Sequence, residues 1–235
     1  MTNLLKVLLL CLVFACSHAK EKAEKRISDH TYSEVNKEAL VKTVSNTETT
    51  DGKMLYITCI ACHGDQGQGN QALGAPALVN QEGWYLKRQL NNFKNGIRGN
   101  DPKDVNGTQM AAIAKTIKDE AARDAVVDYI KTFPEVKTKK TVKGDVENGK
   151  QYYNMICGAC HGPNAKGNKT LNAPRLTGID DWYLKDQYIK FRENKRGVHP
   201  EDTFGKQMQL MSNALPSEEA INNVIAYIHS IKKEL

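Results

Sequence analysis

Cys59-Ile60-Ala61-Cys62-His63 and Cys157-Gly158-Ala159-Cys160-His161 decide how the rest of this chain is read. The two stretches stand 98 residues apart, and the same offset lays residues 53–131 on 151–229 without a gap, with 29 identities in 79 pairs. Trp84-Tyr85-Leu86-Lys87 falls on Trp182-Tyr183-Leu184-Lys185, and Arg98-Gly99 on Arg196-Gly197. Gly107, Gln109 and Met110 fall on Gly205, Gln207 and Met208. An ungapped similarity of this length means two copies of one domain rather than a solenoid. The copies occupy 51–131 and 149–235, with 132–148 between them. That connection holds Pro134, a lysine-rich stretch and Gly144 and reads as an exposed linker.

Within each copy the apolar pattern is helical. Ile221, Val224, Ile225 and Ile228 follow the spacing of one buried helix face. Ser217 is placed to cap that helix, and Asp119 stands at the equivalent position of the first copy. No segment alternates like a strand, so the expected fold is all-α.

Two thiols three residues apart, followed at once by an imidazole, match the attachment signature of a c-type haem. The thiols reach two vinyl positions of one haem as thioethers, and the histidine then lies under the iron. Cys59, Cys62, Cys157 and Cys160 are the expected covalent attachments, with His63 and His161 as iron ligands. A shared zinc site would need the two cysteine pairs to meet and leaves both histidines unexplained. A thioredoxin-like pair needs a βαβ context that is missing, and structural disulfides are the third rival. Met110 and Met208 each follow their own histidine by 47 residues in a Gly-x-Gln-Met setting and are the expected sixth ligands. Met211 has Ile113 as its counterpart and His199 has Asp101, so neither is taken as a ligand.

Residues 1–19 read as a secretory targeting segment, with Lys6 before the apolar run 7–15. Residues 20–50 read as a polar tether. Two processing routes compete: cleavage after Ser17-His18-Ala19, or a lipobox at Val13-Phe14-Ala15-Cys16 that makes Cys16 a lipid anchor. Either route puts the chain in the periplasm. The formal charge is +6 and is spread evenly. No basic stripe with interleaved aromatics points to nucleic acid.

Together these residues resemble class I cytochromes c, and the tandem layout resembles the two-domain "c-four" dihaem group. The resemblance covers roughly 50–131 and 148–233. It implies helices wrapped around one covalent haem per domain and single-electron transfer between redox proteins, with a terminal oxidase as acceptor in respiration, and no catalytic residues. It also implies that the carbonyls of Pro76 and Pro174 accept a bond from the histidine rings, and that Leu78 and Leu176 pack on the haem. Trp84, Trp182, Tyr85 and Tyr183 read as core, with the alternative of bonding propionates; Arg98 and Arg196 read equally as surface residues or propionate partners. The family usually places a small residue and an aromatic at fixed offsets before the first cysteine. Gly149 and Tyr153 match. The first copy offers Asp51 and Leu55, with Gly52 one residue out of step, so a looser helix crossing is expected there. Two further readings stand beside the carrier: a haem subunit held permanently in an oxidoreductase complex, and a dihaem peroxidase-like enzyme or sulfur-compound oxidase, which needs an open iron.

Overall fold

The computed structural model describes residues 51–231. The targeting segment, the tether and Cys16 lie outside the described residues. The first half runs α1 (Gly52–His63), a short 3-10 turn (Gln71–Leu73), α2 (Gly83–Lys94), α3 (Val105–Ala114) and α4 (Glu120–Ile130). The second runs α5 (Val146–Tyr152), a π-helical turn (Tyr153–Cys157), α6 (Gly158–His161), α7 (Asp181–Arg192), α8 (Thr203–Met211) and α9 (Glu218–Ser230). The described residues contain no strand. The all-α, twofold-repeated architecture is therefore as expected.

Side-chain caps start α4 and α9 where the sequence places them. The Asp119 carboxylate accepts from Ala122 N at 2.9 Å, and Ser217 Oγ from Ala220 N at 3.1 Å. Asp104 and Asp202 do the same for α3 and α8, bonding Gly107 N and Gly205 N. Each such cap stabilises its helix by about 1 kcal/mol. One core gathers Tyr56, Val79, Val126, Val127 and Ile130, and the other gathers Tyr153, Leu215, Ile221, Val224, Ile225 and Ile228. Burial of each large aliphatic side chain contributes roughly 1.5–3 kcal/mol.

The first and last helices of each half cross at a glycine. A Cβ on Gly52 would stand 2.1 Å from Ala125 O, and one on Gly149 would stand 1.9 Å from Asn223 O. Tyr56 and Tyr153 seal the crossings, with ring centroids 5.7 Å from Tyr129 and 5.4 Å from Tyr227. The first crossing is thus as tight as the second, against the looser packing expected. Gly52 and Tyr56 do the work there, while Asp51 caps α1 through Lys53 N. Gly149 and Tyr153 stand 97 residues after Gly52 and Tyr56, whereas the cysteines stand 98 apart. The extra residue of the second copy is taken up in the π turn, where Gly158 N bonds Tyr153 O five residues back.

The connection between the halves is pinned rather than loose. Asn80 bonds both the N–H and the carbonyl of Val136. Asp181, fully buried, accepts from Thr141 N, Thr141 Oγ1 and Val142 N. A Cβ on Gly144 would strike Asn222 O at 2.6 Å. The Asn80 and Asp181 contacts come from single polar side chains, which apolar periodicity does not report. Direct bonds also join the halves: Ala77 N to Asp180 Oδ2 at 2.8 Å, and Arg88 to the side chain and carbonyl of Asn172.

Candidate functional site

α1 ends with Cys59, Cys62 and His63 on its last two turns, and α6 ends with Cys160 and His161, Cys157 closing the π turn before it. All four cysteines are free thiols; Cys62 and Cys160 are exposed, and Cys59 and Cys157 are half-buried. Burial pushes the Cys157 thiol up to about 12, with Cys160 adding to the effect. The two pairs do not converge: among the described residues no three His, Cys, Asp or Glu side chains group as a metal site.

Each imidazole is fixed at one nitrogen. His63 Nδ1 lies 2.9 Å from Pro76 O, and His161 Nδ1 lies 2.8 Å from Pro174 O. With a carbonyl as partner, Nδ1 is the donor, which leaves Nε2 as the free lone pair for a metal. Burial holds both rings below the ordinary histidine value, against the opposing pull of the proline carbonyl. The neutral imidazole is the form that ligates. The chain just past each histidine is tied back to the core, Tyr56 Oη donating to Gly64 O at 2.7 Å and Tyr153 Oη to Gly162 O at 2.6 Å.

Met110 lies on α3 and packs with Phe93, Ala111 and Ala114; Cys59 and Leu78 pack on the neighbouring core, and Leu90 touches both groups. In the second half Met208, Cys157 and Leu176 pack on one common cluster that includes Tyr188. Met211 is exposed, and His199 Nδ1 accepts from Glu201 N.

A feature the sequence left open is the pair of arginines. Arg98 and Arg196 are both buried. Arg98 donates to Gln89 at 2.6 Å, to Gln187 at 2.7 Å and to Tyr183 Oη at 3.1 Å. Arg196 donates to Gln187 at 2.8 Å, to Gln89 at 3.0 Å and to Tyr85 Oη at 2.8 Å. Each guanidinium is thus held by both halves at once. Burial alone would raise the Tyr85 phenol, but the Arg196 and Arg98 charges outweigh it and hold it below its ordinary value. Identity at Trp84-Tyr85, Gln89 and Arg98 between the copies was the signal available in the sequence.

The chemistry of this donor set fits haem. Arg98 Nε, Arg196 Nε and Trp84 Nε1 are buried and have no hydrogen-bond partner among the described residues. An unpartnered buried donor costs about 1–3 kcal/mol, and more for a charged group. A haem would bring two carboxylates as acceptors, and the chain offers it a thiol pair for attachment and an imidazole for ligation in each half. A thiol pair, a proline-braced histidine and a methionine, occurring once in each of two helical halves, define a dihaem electron-transfer protein.

The chain belongs to the cytochrome c family, whose description, Cytochrome c, matches residues 49–134 and again 146–232. It is similar to the thiosulfate dehydrogenase electron acceptor of Stutzerimonas stutzeri (strain A1501), with 27% identity over 181 residues, covering 71% of this chain and 82% of that one. It is 35% identical over 125 residues to the Cbb3-type cytochrome c oxidase subunit FixP of Bradyrhizobium sp. (strain ORS 278), covering 51% of this chain and 41% of that subunit. The solved cytochrome c4 of Acidithiobacillus ferrooxidans superposes with a TM-score of 0.60 at 25% identity, covering 74% of this chain and 99% of that one. Two covalent haem c groups and a c4-like, electron-carrying role accord with both halves.

Proposed function

We propose that this protein is a one-electron shuttle between extracytoplasmic redox proteins, with His63 and Met110 as axial ligands of the first iron and His161 and Met208 of the second. Cys59 and Cys62 attach the first haem, and Cys157 and Cys160 the second. The domains are 51–131 and 149–235. The observation that carries the reading is the doubled constellation: in each half a free thiol pair, an imidazole held at Nδ1 by a proline carbonyl, and a methionine 47 residues further on.

Bound haem supplies a reversible one-electron iron centre; the protein supplies its setting. Pro76 and Pro174 fix ring orientation and keep Nε2 on the metal side, which raises ligand basicity. The Met110 and Met208 thioethers would serve as the second protein ligand of each iron, and thioether ligation raises the reduction potential. That ligation favours a carrier over an enzyme. The evenly mixed surface charge suits weak, transient docking. A donor that oxidises small reduced sulfur compounds is supported by the relative named as a thiosulfate dehydrogenase electron acceptor, and a terminal oxidase as acceptor by the oxidase-subunit relatives. The periplasm is the proposed site of action, with Cys16 as the acylated residue if a lipid anchor is made. Among the described residues no helix is long and apolar enough to cross a membrane.

The experiment that tests this is optical. The purified protein is expected to hold two haems per chain, to show a sulfur-to-iron charge-transfer band when ferric, and to ignore carbon monoxide when ferrous. Carbon monoxide binding at either haem without denaturation would reveal an open iron and overturn the carrier reading. A second reading, a haem subunit kept in an oxidoreductase complex, is supported by the likeness to FixP. Gentle purification that yields a stoichiometric complex instead of a free monomer would establish it.

A further inference from the structure

Superposing the two halves by sequence shows one polar exchange in the apolar packing around the thiol pair and methionine that leaves an orphan. Leu90 of the first half has Tyr188 as its counterpart. Tyr188 is 9% exposed and packs in the cluster that also holds Cys157, Leu176 and Met208. Its hydroxyl is buried and has no hydrogen-bond partner among the described residues; the Leu215 backbone approaches it without reaching hydrogen-bond geometry. Arg192, 5.7 Å above the ring, directs its donors to the carbonyls of Ser212 and Leu215. Lys94, the counterpart of Arg192, likewise serves the carbonyls of Ile117 and Lys118. The basic residue behind the pocket is therefore matched between the halves, and the phenol is not.

We propose that Tyr188 is a positioning residue that raises the reduction potential of the second haem site, presenting an O–H donor to the pocket of Met208 where the first site has only the hydrocarbon of Leu90. This rests on the axial assignment given above. One-electron reduction lowers the positive charge of a site by one, with the electron supplied by the docked donor protein and no covalent bond made or broken. A donor hydrogen facing the site stabilises that added electron, and low-dielectric surroundings strengthen the effect. Buried with no protein partner, the hydroxyl finds its acceptor on the bound group or on the Met208 thioether, a weak acceptor. Leu90 offers no such dipole. The duplicated domains thereby acquire unequal potentials from one side chain.

The test is a potentiometric titration of the holoprotein at constant pH, followed optically, for the wild type, Tyr188→Phe and Tyr188→Leu. Met208→His identifies the second centre, because replacing the thioether lowers its potential. Tyr188→Phe keeps the ring and removes only the hydroxyl. It is expected to shift electron occupancy away from the second centre by about fivefold to tenfold, tenfold being about 59 mV for one electron, and to leave the first midpoint in place. The sulfur-to-iron band is expected to persist, which separates tuning from loss of the ligand. An unchanged second midpoint in Tyr188→Phe, or an equal shift at both centres, would overturn the proposal. So would a shift in Tyr188→Leu alone, which would make the effect one of packing. If Met208→His moves neither wave, the axial assignment itself fails and the proposal falls with it.

Discussion

Asp181 shows how much one side chain can hold. It is fully buried and receives hydrogen bonds from Thr141 N at 2.6 Å, Thr141 Oγ1 at 2.6 Å, Val142 N at 2.9 Å and Trp182 N at 2.7 Å. Burial alone would raise its carboxyl, but these donors outweigh it and hold the group below the ordinary 3.8. Because the folded value is depressed, the stabilisation is fully present above the unfolded value and is lost as pH falls through the folded one. Asp181→Ala is expected to destabilise the protein by about 2–3 kcal/mol at neutral pH, the cost of leaving buried donors without their charged acceptor. Denaturant titrations of variant and wild type should converge as pH is lowered below about 4; a gap that stays constant with pH would show that the carboxylate charge plays no part. Nothing in the sequence marked this residue, since its counterpart is Gly83 and its partners Thr141 and Val142 lie 40 and 39 positions away. The cysteines, histidines and methionines stood out because thiol spacing and repetition are local signals. Arg98 and Arg196 were visible as identities, but whether they were buried depended on how the two halves meet.

At the level of helices, the same packing is reached through two different backbones. In the first half a regular α-helix carries Tyr56 and Cys59 with two residues between them; in the second, a π turn carries Tyr153 and Cys157 with three. The ungapped alignment hides this. A π turn absorbs one residue without breaking the helix, so apolar periodicity continues on either side of it. The offset of Gly52 was legible as an anomaly, but its resolution needed the backbone. Removing Met155, which is 72% exposed, is expected to convert the π turn to the regular helix of the first half while both haems are still incorporated. Loss of the second haem in that deletion would mean that the π turn itself positions Cys157. The crossings themselves have no such tolerance. Gly149→Ala puts a methyl group 1.9 Å from Asn223 O, a backbone atom that cannot rotate away. The expected cost is about 1–3 kcal/mol, read as a lowered denaturation midpoint, and Gly52→Ala is expected to behave alike because its clash with Ala125 O is of the same kind.

Across the whole molecule, duplication has produced a near-symmetric joint with asymmetric locks. Its centre repeats itself: Gln89 and Arg98 from one half mirror Gln187 and Arg196 from the other, and each glutamine oxygen accepts from both arginines. Around that centre the symmetry is broken. Arg88 has Asp186 as its counterpart, and Lys190 has Asn92. Lys190 Nζ reaches Asp104 at 2.9 Å across the joint and Asp186 at 2.7 Å on its own helix. Only the pairing of unlike halves brings this lysine to that buried carboxylate. Lys190→Met should therefore strand Asp104, whose side chain is 2% exposed, at a cost of about 3 kcal/mol or more, the penalty for an uncompensated buried charge. The symmetric centre makes a different demand. Since Gln187 Oε1 serves Arg98 and Arg196 together, neither arginine can be removed without changing the setting of the other. Arg98→Leu and Gln187→Leu are expected to be non-additive, with a coupling of about 1–3 kcal/mol in a double-mutant cycle on stability. Additive losses would mean that the two halves merely touch there. A coupling of that size would mean that disturbing one half's arginine is felt in the other half, which is how two haem sites in one chain come to share a single rigid frame.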